Sequence, residues 1–546
     1  MSSNAATSRL IPWFVPLLAA YPIIFLAGRN VGQVSAVTVA LTSIATIGVA
    51  CLLYALLRLR TRSATSAGIA TICVIVLFFA YPVVREWAEA FLNSFGRKTN
   101  ETPNTLDATR GVSTTLGIVW ALIAIAAAER LLKSAWTSRA EVERTLNFVA
   151  VALLAVALVP SVTSALKAAG RGTGGALAAT HSGTSDAAAA TPDIYYIVLD
   201  GYARADVLAQ EYGFRNDAFV DGLRSRGFQV SDHSSANYNW TFLSLASTLN
   251  LGYLHDVLPS GTLDPLSADR TAIYDRIRDN ETARFLRARG YRFVHFQSTW
   301  GATSSNPYAD REVKCEQQVY SNEFVRTLVE ASWLSAFRTK AGVDLAQCHL
   351  GNFRTLASMG SGPGPKFVFA HFIVPHHPYL FDRDGNILRN ATVSNQFEFQ
   401  KRLWEDKDGY VSQLEYVNRL VLETIDGIVA SSSQKPIVVL ASDHGPNLAA
   451  GLTRIEQAAI RFANFGAYLL PGAPADLIPT DTSAVNQFRS ILTHYFGAGL
   501  EPLPNRYFIS PYKYPFDLRE VPSDRLQKAW AELSPTQTEE PRIAAN

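Results

Sequence analysis

Five long apolar runs crowd the first 166 residues, at 12–28, 35–57, 67–84, 114–128 and 146–166, and they constrain the fold more than anything else in the chain. Each is long enough, or nearly so, to cross the roughly 30 Å hydrocarbon layer as a helix, with 67–84 and 114–128 the shortest. A single run of this kind reads as a buried helix of a soluble core; five in succession read as a bundle of membrane spans. A cleaved signal peptide does not fit, because further apolar runs follow the first at once. With five spans, Arg9, the cluster Arg58, Arg60 and Arg62, and the cluster Arg130, Lys133, Arg139 and Arg144 share one side. The intervening connections carry Arg29 alone and the dispersed Arg85, Arg97, Lys98 and Arg110. The positive-inside rule then puts the N-terminus in the cytoplasm and everything after the fifth span outside, so a multi-pass plasma or inner membrane protein with an extracellular or periplasmic domain is expected.

The remainder of the 546 residues is long enough for a large second domain. Four segments are expected: a membrane domain at 1–167, a Gly/Ala/Ser/Thr-rich linker at 168–191, a catalytic domain at 192–517 and a C-terminal tail at 518–546 with one short helix near 526–533. A formal net charge of +2, with no Lys/Arg tract interleaved with aromatics in the soluble part, argues against a nucleic-acid partner. Cys51 and Cys73 fall in predicted spans, whereas Cys315 and Cys348 lie where an oxidising compartment permits a disulfide. Sequence separation alone leaves that pairing open, and four cysteines split this way make no Cys-rich zinc site.

Three short, continuously apolar runs each end in polar residues. Ile194-Tyr-Tyr-Ile-Val-Leu precedes Asp200, Lys366-Phe-Val-Phe-Ala-His-Phe-Ile precedes Val-Pro-His-His-Pro, and Pro436-Ile-Val-Val-Leu-Ala precedes Ser442-Asp443-His444-Gly445. Continuous rather than alternating apolarity suits central strands covered on both faces. Helix-like segments lie between them at 216–227, 282–290 and 411–431, so an α/β domain is expected, with a mixed central sheet flanked by helices and its polar groups at the strand C-termini, where open sheets bind ligands.

Asp200, Asp443 and His444 are ligand types for Zn or Mn. An isolated acid after a strand is more often a turn or cap residue, but two adjacent ligand types followed by glycine can turn inward together. Thr241, in Asn237-Tyr-Asn-Trp-Thr, is the candidate nucleophile and an additional metal ligand, the plainer alternative being a helix N-cap. Ser235 and Ser244 are weaker candidates. His376 and His377 are candidate catalytic groups for proton transfer, and His371 is a possible further ligand. His295 and His349 have too little polar context to assign.

These motifs together resemble the sulfatase-like branch of the alkaline phosphatase superfamily, especially its membrane-anchored phosphoethanolamine and phosphoglycerol transferases, over roughly 192–510. The resemblance implies that Asp200, Thr241, Asp443 and His444 bind the catalytic divalent metal and that His376 matches the family's Ser-His-Gly-Pro histidine. It further implies metal-dependent transfer of a phospho-substituted head group from a membrane lipid or activated donor, through a threonine nucleophile, to an envelope glycan, lipid or protein. The alternatives are a phosphodiesterase, phosphatase or sulfuric ester hydrolase, and a non-catalytic envelope-binding protein. Two departures stand out: the formylglycine pentapeptide Cys-x-Pro-x-Arg is absent, and residues 446–471 lack the further histidine of the anchored ethanolamine transferases.

Overall fold

A computed structural model of the chain describes residues 12–30, 34–61, 63–96, 105–134, 140–170, 192–315, 323–337, 341–388, 391 and 403–533. The chain forms two compact units, Met1–Gly172 with Phe324–Thr339, and Thr173–Glu323 with Lys340–Asn546. Most of the expected linker and the last residues of the expected tail lie outside the described residues.

The first unit contains α1 (Phe14–Arg29), α2 (Ala36–Arg58), α3 (Ala64–Gly96), α4 (Thr105–Leu132) and α5 (Ala140–Gly170). Four stretches, Ala36–Arg58, Ala64–Arg85, Thr115–Leu132 and Glu141–Thr163, are long and apolar enough to cross a membrane. Val37, Leu41, Ile44 and Leu52 of α2, and Phe148, Val156 and Val162 of α5, are exposed. That much uncovered apolar surface suits a lipid solvent rather than water. The helix α1 differs: it is apolar but has only 16 residues, a rise of about 24 Å at about 1.5 Å per residue. Its Phe14, Val15, Ala19 and Ile23 are buried, and it packs against α2, α3 and α5. Four helices of spanning length and one shorter helix therefore stand where five runs predicted five spans.

Phe324–Thr339, expected within the catalytic domain, belongs to this first unit. Trp333 Nε1 donates to Gly117 O at 2.8 Å, and a Cβ at Gly117 would lie 2.6 Å from that of Ala336. The close approach needs a residue without a side chain on α4.

The second unit is built on a seven-stranded sheet of order β2-β7-β6-β1-β5-β3-β4. The strands are β1 (Ile194–Leu199), β2 (Gln229–Val230), β3 (Arg292–Phe296), β4 (Arg311–Val313), β5 (Lys366–Phe372), β6 (Ile437–Ala441) and β7 (Gly466–Leu469). β1 runs parallel to β5 and β6, β3 parallel to β4 and β5, and β7 antiparallel to β6 and β2, so the sheet is mixed. Tyr195, Ile197 and Leu199 enter one core with Leu414, Val417, Val421 and Ile425 of the helix Lys407–Ser431. Ile194, Tyr196 and Val198 enter the other, with Phe242, Leu245 and Leu249 of the helix Thr241–Leu249 and Phe488 and Ile491 of the helix Gln487–Phe496. Covering on both faces is why β1 alternates between two cores yet reads as one unbroken apolar run.

The stretch from 518 is folded as far as Leu533 rather than a plain tail. Arg519–Val521 pairs antiparallel with Tyr507–Ile509, and the helix Ser523–Leu533 buries Leu526 and Ala529 while Trp530 Nε1 donates to Ala459 O at 2.8 Å. Leu526, Ala529 and Trp530 form an i, i+3, i+4 stripe that the surrounding charges obscure in the sequence. Cys315 and Cys348 are disulfide-bonded, with Cα atoms 5.1 Å apart.

Candidate metal centre and active site

The register of the three central strands sets the site. Val198 of β1 is level with His371 of β5 and Ala441 of β6. Asp200 leaves β1 just as His371 nears the end of β5 and Asp443 follows β6. Gly201, at φ 68°, turns the chain after Asp200 beneath Trp404, and its amide donates to Asp443 Oδ1 at 3.0 Å. Ser442 Oγ accepts from Tyr202 N at 2.9 Å and donates to His444 O at 2.6 Å, tying the two loops together. Gly445 permits a close approach: a Cβ there would meet Ile460 O at 2.2 Å and Ala463 O at 2.8 Å.

Asp200, His371 and Asp443 are buried and offer donor atoms within 4.8 Å of one another. His371 Nε2 is 3.4 Å from Asp200 Oδ2, and its Nδ1 is fixed by Thr303 Oγ1 at 2.9 Å, which leaves Nε2 facing the carboxylates. Asp200 Oδ1, Asp443 Oδ2 and His371 Nε2 are all buried without a hydrogen-bond partner among the described residues. No Lys or Arg nitrogen among those residues comes within ion-pair distance of either carboxylate; their charged-group contacts are to His371 and His444. Two adjacent buried carboxylates with orphaned oxygens are costly unless a cation joins them. Zinc takes carboxylate oxygen and imidazole nitrogen, the donor types this cluster offers. The donor set therefore fits a divalent cation.

Electrostatics separates the two acids. Burial alone would raise the Asp200 carboxyl, but the His376, His371 and His444 imidazoles outweigh it and hold Asp200 below the usual carboxylate range. Burial and then the Asp200 charge push Asp443 upward, relieved in part by His371, the Gly201 amide and the Thr241 hydroxyl. His444 is driven well down by burial and by the Arg461 charge.

Thr241 opens α8 (Thr241–Leu249; α6 is Ala205–Tyr212 and α7 Asp217–Ser225). The residue before the helix is Trp240, which provides no side-chain cap, so Thr241 is not the cap. Its hydroxyl lies 3.0 Å from His444 Nε2. His444 Nδ1 lies 3.0 Å from Gly445 O, where it donates, and Nε2 thus carries the lone pair. Arg461 Nη2 also reaches that nitrogen, at 2.8 Å. His444 Nε2 is 3.1 Å from Asp443 Oδ2 and 3.9 Å from Asp200 Oδ1, at the edge of the donor set rather than in it.

The cleft above these groups, about 690 Å³ counting its open mouth, is lined by Asp200, Thr241, His376, His377, His444 and Arg461 together with Trp240, Trp300, Trp404 and Tyr512. His376 N donates to Asp200 O at 3.1 Å, and Gln413 Nε2 holds the carbonyls of Pro375 and His376, so the His376–His377 loop is anchored over the cluster. His376 Nδ1 donates to His377 O at 2.5 Å, and both rings lie edge-on to Trp404. Burial lowers both imidazoles, His377 strongly.

Asp200, Thr241, His371, Asp443 and His444 thus converge within bonding or near-bonding distance, and His376 and His377 share their cleft. Arg461, Thr303 and the aromatic walls were not singled out from sequence. Arg461 had one legible signal: it falls among the residues Ala458, Ala459 and Phe462 that bury the helix Arg454–Phe462, where a charge is out of place.

No protein-family model and no curated protein matches the chain. Among solved structures it is similar to the C-terminal periplasmic domain of EcEptC from Escherichia coli, at 13% identity over 60% of this chain and 92% of that one, with a TM-score of 0.39. It is also similar to the integral membrane protein lipooligosaccharide phosphoethanolamine transferase A (EptA) from Neisseria meningitidis, at 12% identity over 88% and 94% of the two chains, TM-score 0.37. A third is BT1596, a 2-O GAG sulfatase, at 13% identity over 58% and 72%, TM-score 0.35. Likeness at these scores carries no argument about chemistry.

Proposed function

We infer that the second unit transfers a phospho-substituted head group from a membrane lipid or activated donor to an envelope acceptor, with Thr241 as nucleophile. The observation that carries this is the Thr241 hydroxyl on the His444 lone pair, in the cleft beside three orphaned metal-donor atoms. Asp200, His371 and Asp443 would hold the cation, Zn or Mn, with Thr241 and His444 at its edge. Bound there, a divalent cation supplies positive charge against the oxygens of the transferred group and lowers the hydroxyl pKa. Thr241 Oγ1 bonds to phosphorus as the bond from phosphorus to the donor oxygen breaks, and its proton ends on the departing oxygen. His376, with its Nδ1 hydrogen held by His377 O, keeps the Nε2 lone pair to take up that proton and pass it to the departing oxygen. An acceptor hydroxyl then displaces Thr241. With water in that role the same groups make a hydrolase, the second reading, which the open mouth of the cleft permits.

Export of this unit rests on charge. Arg58 ends α2 and Arg60 and Arg62 follow it before α3, and Arg130, Lys133, Arg139 and Arg144 flank the α4–α5 connection. Two spans separate these clusters, so they share a side whether or not α1 crosses, and the chain leaves α5 on the opposite one. The Cys315–Cys348 disulfide suits that compartment.

The test is head-group release. Full-length protein with Mn or Zn is mixed with vesicles carrying head-group-labelled phosphatidylethanolamine and phosphatidylglycerol. Thr241→Ala is expected to lower release at least about a thousandfold with the fold intact; release at wild-type rate in that variant excludes the threonine route.

A further inference from the structure

Arg461 is a buried cation with no carboxylate in direct contact among the described residues; Asp443 and Asp200 act on its charge from farther off. It is 6% exposed, burial lowers its guanidinium only to about 10, and it stays charged near neutrality. Among the described residues no carboxylate oxygen lies within ion-pair distance of it; its partners are Asn239 O from Nε, Gly445 O from Nη1 and His444 Nε2 from Nη2, each at 2.8 Å. A guanidinium has five N–H hydrogens, so one remains on each terminal nitrogen. The rings of Trp240 and Trp404 lie 5.2 and 6.0 Å from its central carbon and restrain the plane, and the side chain lines the cleft with Thr241. The charges of Asp443 and Asp200 offset part of the cost of burying it, and the two remaining hydrogens have no partner among the described residues.

Building on the threonine group-transfer reading, we propose that Arg461 is the anion clamp of this cleft, its two remaining terminal hydrogens bonding two non-bridging oxygens of a tetrahedral phosphoryl or sulfuryl group presented to Thr241. The two-point contact orients the group and places fixed positive charge where its oxygens sit, beside Thr241. The three existing hydrogen bonds hold the fork in place before the ligand arrives. Lysine, a point charge on a flexible stem, does not reproduce such a fork.

The experiment is calorimetric titration of the metal-loaded, full-length protein in detergent with inorganic phosphate and, separately, inorganic sulfate. Wild type is compared with Arg461→Gln and Arg461→Lys, and the metal content of each is measured by elemental analysis. The proposal expects Arg461→Gln to weaken anion binding at least about tenfold and Arg461→Lys to weaken it less, both at unchanged metal content. Tighter phosphate than sulfate assigns the clamp to phosphoryl groups, and the reverse to sulfuryl groups. Absence of anion binding in wild type overturns the proposal. So does affinity within about twofold of wild type in Arg461→Gln, or in Arg461→Lys should the glutamine variant not fold. Because the readout is equilibrium binding, Arg461-dependent anion binding in a protein that transfers no head group would refute the threonine reading and leave the clamp standing.

Discussion

At the residue scale, the two acids of the candidate centre differ in how they meet a metal. Asp200 is held ionised by surrounding imidazoles, whereas Asp443 is pushed up by burial and by Asp200 itself. Without a cation, Asp443 holds its proton to higher pH than an ordinary carboxyl; with one, it must release it. Apparent affinity for Zn or Mn is therefore expected to fall as pH is lowered below neutrality, with proton release on binding. Calorimetry in buffers of different ionisation enthalpy measures both, and a pH-independent affinity would contradict this assignment. Asp200, Thr241, Asp443 and His444 were legible because each stands next to a buried strand or helix start in a short polar motif. The engagement of His444 by Arg461 was not, because the two side chains meet only through the fold. Nor did the sequence distinguish His371, inside an apolar strand, from a packing histidine; its place beside the Asp200 and Asp443 carboxylates does.

At the scale of elements, the loop after β6 depends on its glycine. Gly445 N donates to Arg461 O at 2.8 Å, and the loop lies against the C-terminal turn of the helix Arg454–Phe462. In Gly445→Ala the new Cβ would press on two backbone carbonyl oxygens, Ile460 O and Ala463 O. A destabilisation of about 1–3 kcal/mol is expected, together with weaker metal binding because Asp443 and His444 are displaced. Thermal unfolding and metal titration read the two effects, and an unchanged melting temperature would count against the packing. Strand and helix positions in the second unit followed well from apolar runs and glycine stops. The tail helix was legible near 526–533, but its docking was not, because Ser523–Leu533 sets the buried Leu526 and Ala529 and the half-buried Trp530 among charges; nor was that of Phe324–Thr339, because nothing local says with which unit a short amphipathic segment will pack.

At the scale of the whole molecule, a bundle with four helices of spanning length and one shorter helix precedes an α/β unit whose central strand ends carry the candidate chemistry. The charge pattern predicts that cysteines placed singly in the α2–α3 and α4–α5 connections resist a membrane-impermeant thiol reagent in intact cells, whereas one placed at an exposed position such as Asp384 reacts; the opposite labelling would invert the topology. Apolar length makes a membrane bundle legible, yet length also makes α1 look like a fifth equal span when 16 residues and a buried face set it apart. The central claim is covalent catalysis by Thr241, and peptide mass spectrometry tests it most directly. Full-length protein, loaded with Mn or Zn, is quenched after brief incubation with envelope phospholipids. The account predicts a mass increment on the peptide bearing Thr241, equal to a phospho-substituted head group and absent from Thr241→Ala. Head-group release by a folded, metal-loaded protein whose Thr241 peptide stays unmodified, at a rate that Thr241→Ala leaves unchanged, would contradict it.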